Sequence, residues 1–138
     1  MATSSFLGVN LVTPRGVVAH TETDSVQAPG ELGEFELLPG HVPMLTALKP
    51  GVLTIGSKAR NRYAVGSGYL RIDPAGSVEI LVEQAVPASE VDVEAAKREL
   101  AAADAELAKW GDKAPDGDYT NLVAKSGWAR ARIDAVSH

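Results

Sequence analysis

The sequence predicts an all-β N-terminal sandwich followed by a C-terminal antiparallel α-helical hairpin. Three observations carry that prediction. Ten of the 13 glycines and six of the eight prolines lie in residues 1–86, where Pro-Gly pairs recur at 29–30, 39–40 and 50–51. Several segments there alternate with the period of two that a half-buried strand requires. Residues 89–110 then contain no Gly or Pro and are rich in Ala, Glu and Lys, the composition of a helix. The expected division is a sandwich over 1–86 and a hairpin over 87–138.

Taken in order, "FLGVNLVT" opens as a strand, and "HTETDSVQ" follows with the weakest alternation. Ala28-Pro29-Gly30-Glu31, Leu38-Pro39-Gly40-His41 and Lys49-Pro50-Gly51-Val52 read as type II turns. Proline pre-sets φ at the second turn position, and glycine accepts the positive φ of the third. Their spacing leaves strands of about five to seven residues, the rhythm of a sandwich or barrel. "NRYAVGSG" is a further strand, with the glycines of "GSG" at 66–68 serving a turn. That tripeptide lacks the Gly-Lys-Ser/Thr ending of a phosphate loop. "GYLRID" sets Leu70 and Ile72 against Tyr69 and Arg71, and "SVEILVEQ" sets Val78, Ile80 and Val82 against Glu79, Leu81 and Glu83.

In the hairpin, Ser89 is the expected N-cap, with Asp92 three residues on and Glu90, Asp92 and Glu94 favouring the positive end of the dipole. Val93, Ala96, Leu100, Ala103, Leu107 and Trp110 form a heptad-like seam, and Gly111 ends the helix. After the loop "DKAPDGD", a second helix starts near Asp118 with Leu122, Ala129, Ile133 and Val136 as its seam. Gly127 within it costs about 1 kcal/mol relative to Ala. The short loop makes the pair antiparallel. Two of the six residues of the first seam are alanine, which contributes a fraction of the roughly 1.5–3 kcal/mol of a buried Leu. Docking therefore rests mainly on Leu100, Leu107, Trp110, Leu122 and Ile133, and the arm is expected to detach at modest cost.

Composition excludes several classes. A hydrophobic share of 45% argues against disorder. No apolar run approaches the ~20 residues of a membrane span, and the N-terminus has neither a basic segment nor an apolar core of a secretory signal. With no cysteine there are no disulfides, thiolate metal sites or cysteine nucleophiles, which fits a reducing compartment. A net charge of −5 is unfavourable for nucleic acid or an anionic lipid surface. Any membrane association is then expected to run through a protein partner.

Few residues carry candidate chemistry. His41 stands behind a Pro-Gly turn, among only three histidines (His20, His41 and His138), with no Ser/His/Asp spacing beside it. Its readings are a general base, a local turn residue or an interface residue. Glu34 and Glu36 flank Phe35 and share a strand face, either as paired carboxylates or as a solvated face. Asp112, Asp116 and Asp118 lack the spacing and closing glutamate of an EF-hand, so no metal is expected. Residues 90–118 carry nine acids and four bases, whereas residues 119–138 carry Lys125, Arg130 and Arg132 against Asp134. These opposite charges either pair within the hairpin or equip a released basic helix for an acidic partner.

The stretch "GEFELLPGHVPMLTALKPG" resembles the signature of the epsilon subunit of bacterial rotary ATP synthases. A Gly-Glu pair, a hydrophobic run into Pro-Gly-His, a Pro-x-hydrophobic-x-Thr segment and a second Pro-Gly stand in order. "VPASEVDVEAAK", "DGDY" and "WARARIDAV" extend the resemblance along the chain. It implies a non-catalytic central-stalk subunit on the cytoplasmic face of the bacterial inner membrane. The sandwich would bind the gamma subunit and the c-subunit ring, with Glu34 and His41 facing the ring. The arm, through Lys125, Arg130 and Arg132, would reach the beta and alpha subunits and block wasteful hydrolysis. Two departures stand out. Glu36 occupies a position where the family usually has glycine. The Ile/Leu-Asp-x-x-Arg-Ala motif, with which some members bind ATP, reads Val91-Asp92-Val93-Glu94-Ala95-Ala96. Ala95 offers no cation to a phosphate, so no cofactor is expected. The alternative is a free-standing small enzyme or ligand-binding sandwich with a helical lid, and co-purification with large partners separates the two.

Overall fold

The computed structural model describes residues 6–137. Ten strands are followed by a 3₁₀ turn and two helices: β1 Leu7–Thr13, β2 Gly16–Thr23, β3 Val26–Gly30, β4 Gly33–Leu37, β5 Met44–Leu48, β6 Gly51–Ile55, β7 Asn61–Val65, β8 Gly68–Ile72, β9 Ser77–Val82, β10 Ala85–Pro87, α1 Val93–Ala108 and α2 Gly117–Ser137. One sheet edge follows the order β10-β7-β6-β3, with β4 on the other side of β3. The remaining strands follow as β5-β8-β9-β1-β2. The two groups are joined by a single pair, Gly30 with Leu48, and close on one another as a β-sandwich. All pairings are antiparallel except that of β1 with β9, where Gly8 lies opposite Ser77.

Alternation decides what is buried. Leu7, Val9 and Leu11 of β1, Leu70 and Ile72 of β8, and Val78, Ile80 and Val82 of β9 point inward. They and Leu48 of β5 meet Val26, Ala28, Leu37, Leu53, Ile55 and Val65 from the facing strands. Every buried member of this core belongs to a strand, and each large aliphatic contributes roughly 1.5–3 kcal/mol. The weakly patterned "HTETDSVQ" is not one strand. It spans the end of β2, the Asp24-Ser25 corner and the start of β3. Asp24 accepts from the Ser57 backbone and hydroxyl, tying that corner to the β6–β7 loop.

The three Pro-Gly pairs differ. Only Leu38-Pro39-Gly40-His41 is a turn of the expected kind, with Gly40 at φ 86° and the His41 N–H donated to the Leu38 carbonyl at 3.1 Å. Gly30 and Gly51 have no positive φ and lie within β3 and β6. They are glycines because the chain packs too closely for a side chain. A β-carbon at Gly30 would sit 2.9 Å from the Phe35 ring, and one at Gly51 would sit 2.6 Å from Pro29 Cβ. The "GSG" segment likewise makes no hairpin. It carries the chain from β7 to β8, which do not pair, and Gly66 N–H bonds the Gln84 carbonyl at 2.8 Å.

The N-cap of α1 is Asp92, whose Oδ1 accepts from Ala95 N–H at 3.0 Å. Ser89 belongs instead to the 3₁₀ turn Ala88–Glu90. Asp116 caps α2, accepting from the Asp118 and Tyr119 amides at 2.9 and 3.1 Å. At the hairpin tip Trp110 meets Tyr119 edge-on, with ring centres 5.3 Å apart. The first seam is as expected as far as Leu107, with Ala96 and Ala103 buried and Leu100 and Leu107 half-buried, whereas Trp110 lies beyond the end of α1. The second is not a single seam. Val136 is exposed, and Ala131 and Ala135 are buried on a separate face. That face rests on Ala64, Val52 and Ala88, with Trp128 beside it. The arm is thus seated by small residues on β6 and β7, while the leucines expected to dock it lie in the helix seams. No helix among the described residues is long and apolar enough to cross a membrane.

Candidate functional site

Strand β4 is an edge strand that pairs only with β3, in an unbroken register that sets Glu34 opposite Pro29 and Glu36 opposite Gln27. Glu34 and Glu36 are exposed on one face. Glu36 accepts from Gln27 Nε2 at 3.4 Å, and Gln27 Oε1 accepts from Arg60 Nη2 at 3.3 Å. This relay ties the strand to the β6–β7 loop. Where the signature has glycine, Glu36 therefore fills a tether and introduces no bulge. Glu34 makes no hydrogen bond or ion pair among the described residues, and it borders a cleft of about 510 Å³ with Gln27, Thr54, Arg60 and Arg62.

His41 is half-buried behind its turn. Its Nδ1 lies 2.7 Å from the Val42 carbonyl oxygen. A carbonyl only accepts, so Nδ1 carries a proton, and in the neutral ring Nε2 is left as an acceptor. No carboxylate orients the ring, and no hydrogen bond or ion pair links it to Glu34 among the described residues. His20 is bonded at 3.0 Å to Asn10 Oδ1, and His138 lies outside the described residues. No group of three His, Asp or Glu residues among the described residues is arranged to hold a metal ion. The Asp24 carboxyl is held below its ordinary value of 3.8 by the Ser57 hydroxyl and then the Ser57 amide. It is part of the corner described above.

The arm's three basic residues differ in their engagement. Lys125 is exposed and forms no hydrogen bond or ion pair among the described residues. Arg130 Nη2 lies 3.6 Å from Asp104 Oδ2, and Ser126 Oγ donates to Asp104 Oδ1 at 2.7 Å. Arg132 is the most enclosed, with its side chain 14% exposed and its guanidinium 5.3 Å from the Trp128 ring centre. Its Nη2 stands 2.8 Å from Glu99 Oε2 but off the hydrogen-bonding direction, and its buried Nε has no acceptor. Opposite charges thus pair across the hairpin in this docked state. At the start of α1, capping engages the Asp92 carboxylate and Ala95 supplies no cation.

A further surface was not anticipated from the sequence. On the outer face of the second group of strands, Ala47, Tyr69, Leu81, Val12 and Val17 are successive register partners across β5, β8, β9, β1 and β2. Tyr69, Leu81 and Val17 are 58%, 49% and 62% exposed, and Leu45 beside them is 68% exposed. The arm covers the other layer, so this apolar stripe is open. The Arg71–Glu79 ion pair borders it. Its signal was present in "SVEILVEQ", where Leu81 stands among the outward positions.

The family model for the β-sandwich domain of the ATP synthase delta/epsilon chain matches residues 6–88. The ATP synthase epsilon chain of Geobacter sulfurreducens is 42% identical over 131 residues, covering 94% of this chain and 93% of that one. The ATP synthase epsilon chain 2 of Syntrophotalea carbinolica is 36% identical over the same span and shares of length. Among solved structures, a chain of the Euglena gracilis mitochondrial ATP synthase, OSCP/F1/c-ring, superposes with a TM-score of 0.81 at 20% identity, over 100% of this chain and 85% of that one. A chain of the central stalk and c-ring of the Tetrahymena thermophila enzyme gives 0.64 at 19% identity, over 99% of both. Those two likenesses speak to the fold, whereas the sequence matches reach from the sandwich through the helices, and on them this chain belongs to the ATP synthase epsilon-chain family.

Proposed function

We propose that this chain is a non-catalytic subunit of the ATP synthase central stalk that couples rotation and restrains ATP hydrolysis through its two C-terminal helices. The observation that carries the reading is the division of the sandwich into two outer faces. One is covered by an arm seated on small residues, and the other keeps an open stripe around Tyr69 and Leu81. An open stripe of this kind suits a permanent partner, and the gamma subunit is the partner proposed for it. The exposed Glu34 and the Nε2 of His41 are the groups proposed to meet the c-subunit ring. The arm is proposed to leave its seat and carry its basic residues to the beta and alpha subunits. The membrane is then reached only through the complex, at the cytoplasmic face of the inner membrane. Removing residues 88–138 from the assembled enzyme tests the regulatory part. Hydrolysis should rise severalfold; unaltered hydrolysis would leave the arm as a structural clamp.

A further inference from the structure

Two of the Pro-Gly pairs are stacked between the arm and the β4 edge. A β-carbon at Gly127 of α2 would lie 3.3 and 3.4 Å from Cγ and Cβ of Pro50. One at the adjoining Gly51 would lie 2.6 and 3.1 Å from Cβ and Cγ of Pro29. Pro29 is in turn the register partner of Glu34, and its carbonyl accepts from Lys49 N–H at 2.9 Å. On the neighbouring residue, Gly30 leaves room for the Phe35 ring of the same edge strand. The path from α2 to Glu34 thus runs through two proline rings with fixed φ and two glycines without side chains. None of these can relieve a push by changing rotamer, as a leucine or methionine would.

We propose that this stack is a positioning linkage, through which the seating of α2 and the placement of the Glu34 strand set one another. Pro50 and Gly127 act through Glu34 and need touch no partner. The arm is the two-state element: seated, it holds Pro50 against the sandwich; lifted, it frees Pro50, and the Pro29–Glu34 pair relaxes. Coupling between two sites is reciprocal. A partner that grips the Glu34 edge therefore shifts the arm, and a partner that draws off the arm shifts the Glu34 edge. This deepens the reading of the arm as a detachable regulator and rests on it for its physiological use. The linkage itself is a property of the isolated chain.

The test is nuclear magnetic resonance on the full-length chain. Ala135→Asp places a carboxylate in the seat formed with Ala64, away from the stack. It should lower the exchange protection of α2 amides at least tenfold and move the amide signals of Glu34 and Phe35. Ala131→Gln opens the same seat and replaces it should Ala135→Asp unfold the chain. In a Pro50→Ala background the same release should leave those two signals where Pro50→Ala alone puts them. Gly127→Leu, which presses directly on Pro50, should by itself lower α2 protection by a similar factor and move the same signals. The linkage is overturned if Glu34 and Phe35 do not respond to release of the arm, or respond equally with and without Pro50→Ala. Hydrolysis by the assembled enzyme lacking the arm reports separately on inhibition, so the linkage and the inhibitory reading can fail independently.

Discussion

On the β4 edge, neighbouring carboxylates have different duties. Glu36 is held by Gln27, which is held by Arg60, whereas Glu34 is free to meet a partner. Glu34→Ala should therefore change stability by no more than about 0.5 kcal/mol. His41→Ala gives up the bond to the Val42 carbonyl and should cost about 1 kcal/mol. Thermal unfolding of both variants checks these values. In the assembled enzyme both should reduce proton-driven ATP synthesis while leaving hydrolysis by the detached soluble sector unchanged. Equal loss of both activities would remove the two residues from the coupling interface. The shared strand face of Glu34 and Glu36 and the place of His41 behind a turn were legible in the sequence, whereas the edge position of that strand was not. The use of the glycines was not. A missing β-carbon permits either a positive φ or a close approach, and the sequence writes both as Pro-Gly. Gly40 serves the first purpose, and Gly30 and Gly51 serve the second.

At the level of elements, α2 is the informative case. Its leucine and isoleucine seam was readable because large aliphatics at helical spacing have one plausible place to go. Its second face was hidden because Ala131, Ala135 and Gly127 are at home on a surface, in a seam or in a seat. Of the three basic residues it carries, Lys125 is already free, Arg130 has an exposed pair with Asp104, and Arg132 is engaged by Glu99 and Trp128. Exposed pairs contribute about 0.2–1 kcal/mol, whereas partly desolvated contacts to partner carboxylates contribute about 1.5–3 kcal/mol each. For the exposed Arg130 pair, exchange of the first for the second would favour the proposed extended arm. Arg130→Ala with Arg132→Ala should raise hydrolysis by the assembled enzyme, and added salt should reproduce part of the effect. No change in either measurement would show that these side chains do not hold the arm on its target. The start of α1 supports a second expectation. With capping engaging Asp92 and Ala95 in place of an arginine, calorimetric titration of the isolated chain with ATP and magnesium should detect weak binding or none. Micromolar affinity would require another cation, with Arg98 the first to replace.

For the whole molecule, the main core and the arm's seat are separate clusters, and the main core draws its buried residues from strands alone. A fragment of residues 1–88, which keeps all of β10, should fold and unfold cooperatively on heating. An insoluble or molten product would mean that the arm completes the sandwich. Turn spacing and alternation made this architecture readable, but two global features were not. The open stripe needs the register of five strands before its members line up. The pairing of β1 with β9 joins segments from opposite ends of the sandwich sequence. That pairing orders events in time. A nascent chain can zip β1 to β2 as a local hairpin, yet β9 must leave the ribosome before the other edge of β1 is filled. Closure of this loop is the long-range step that slows β-rich domains to milliseconds or seconds. During that wait β1 offers an unpaired edge, and α2, synthesised after every strand of the sandwich, seats on a layer that is already complete.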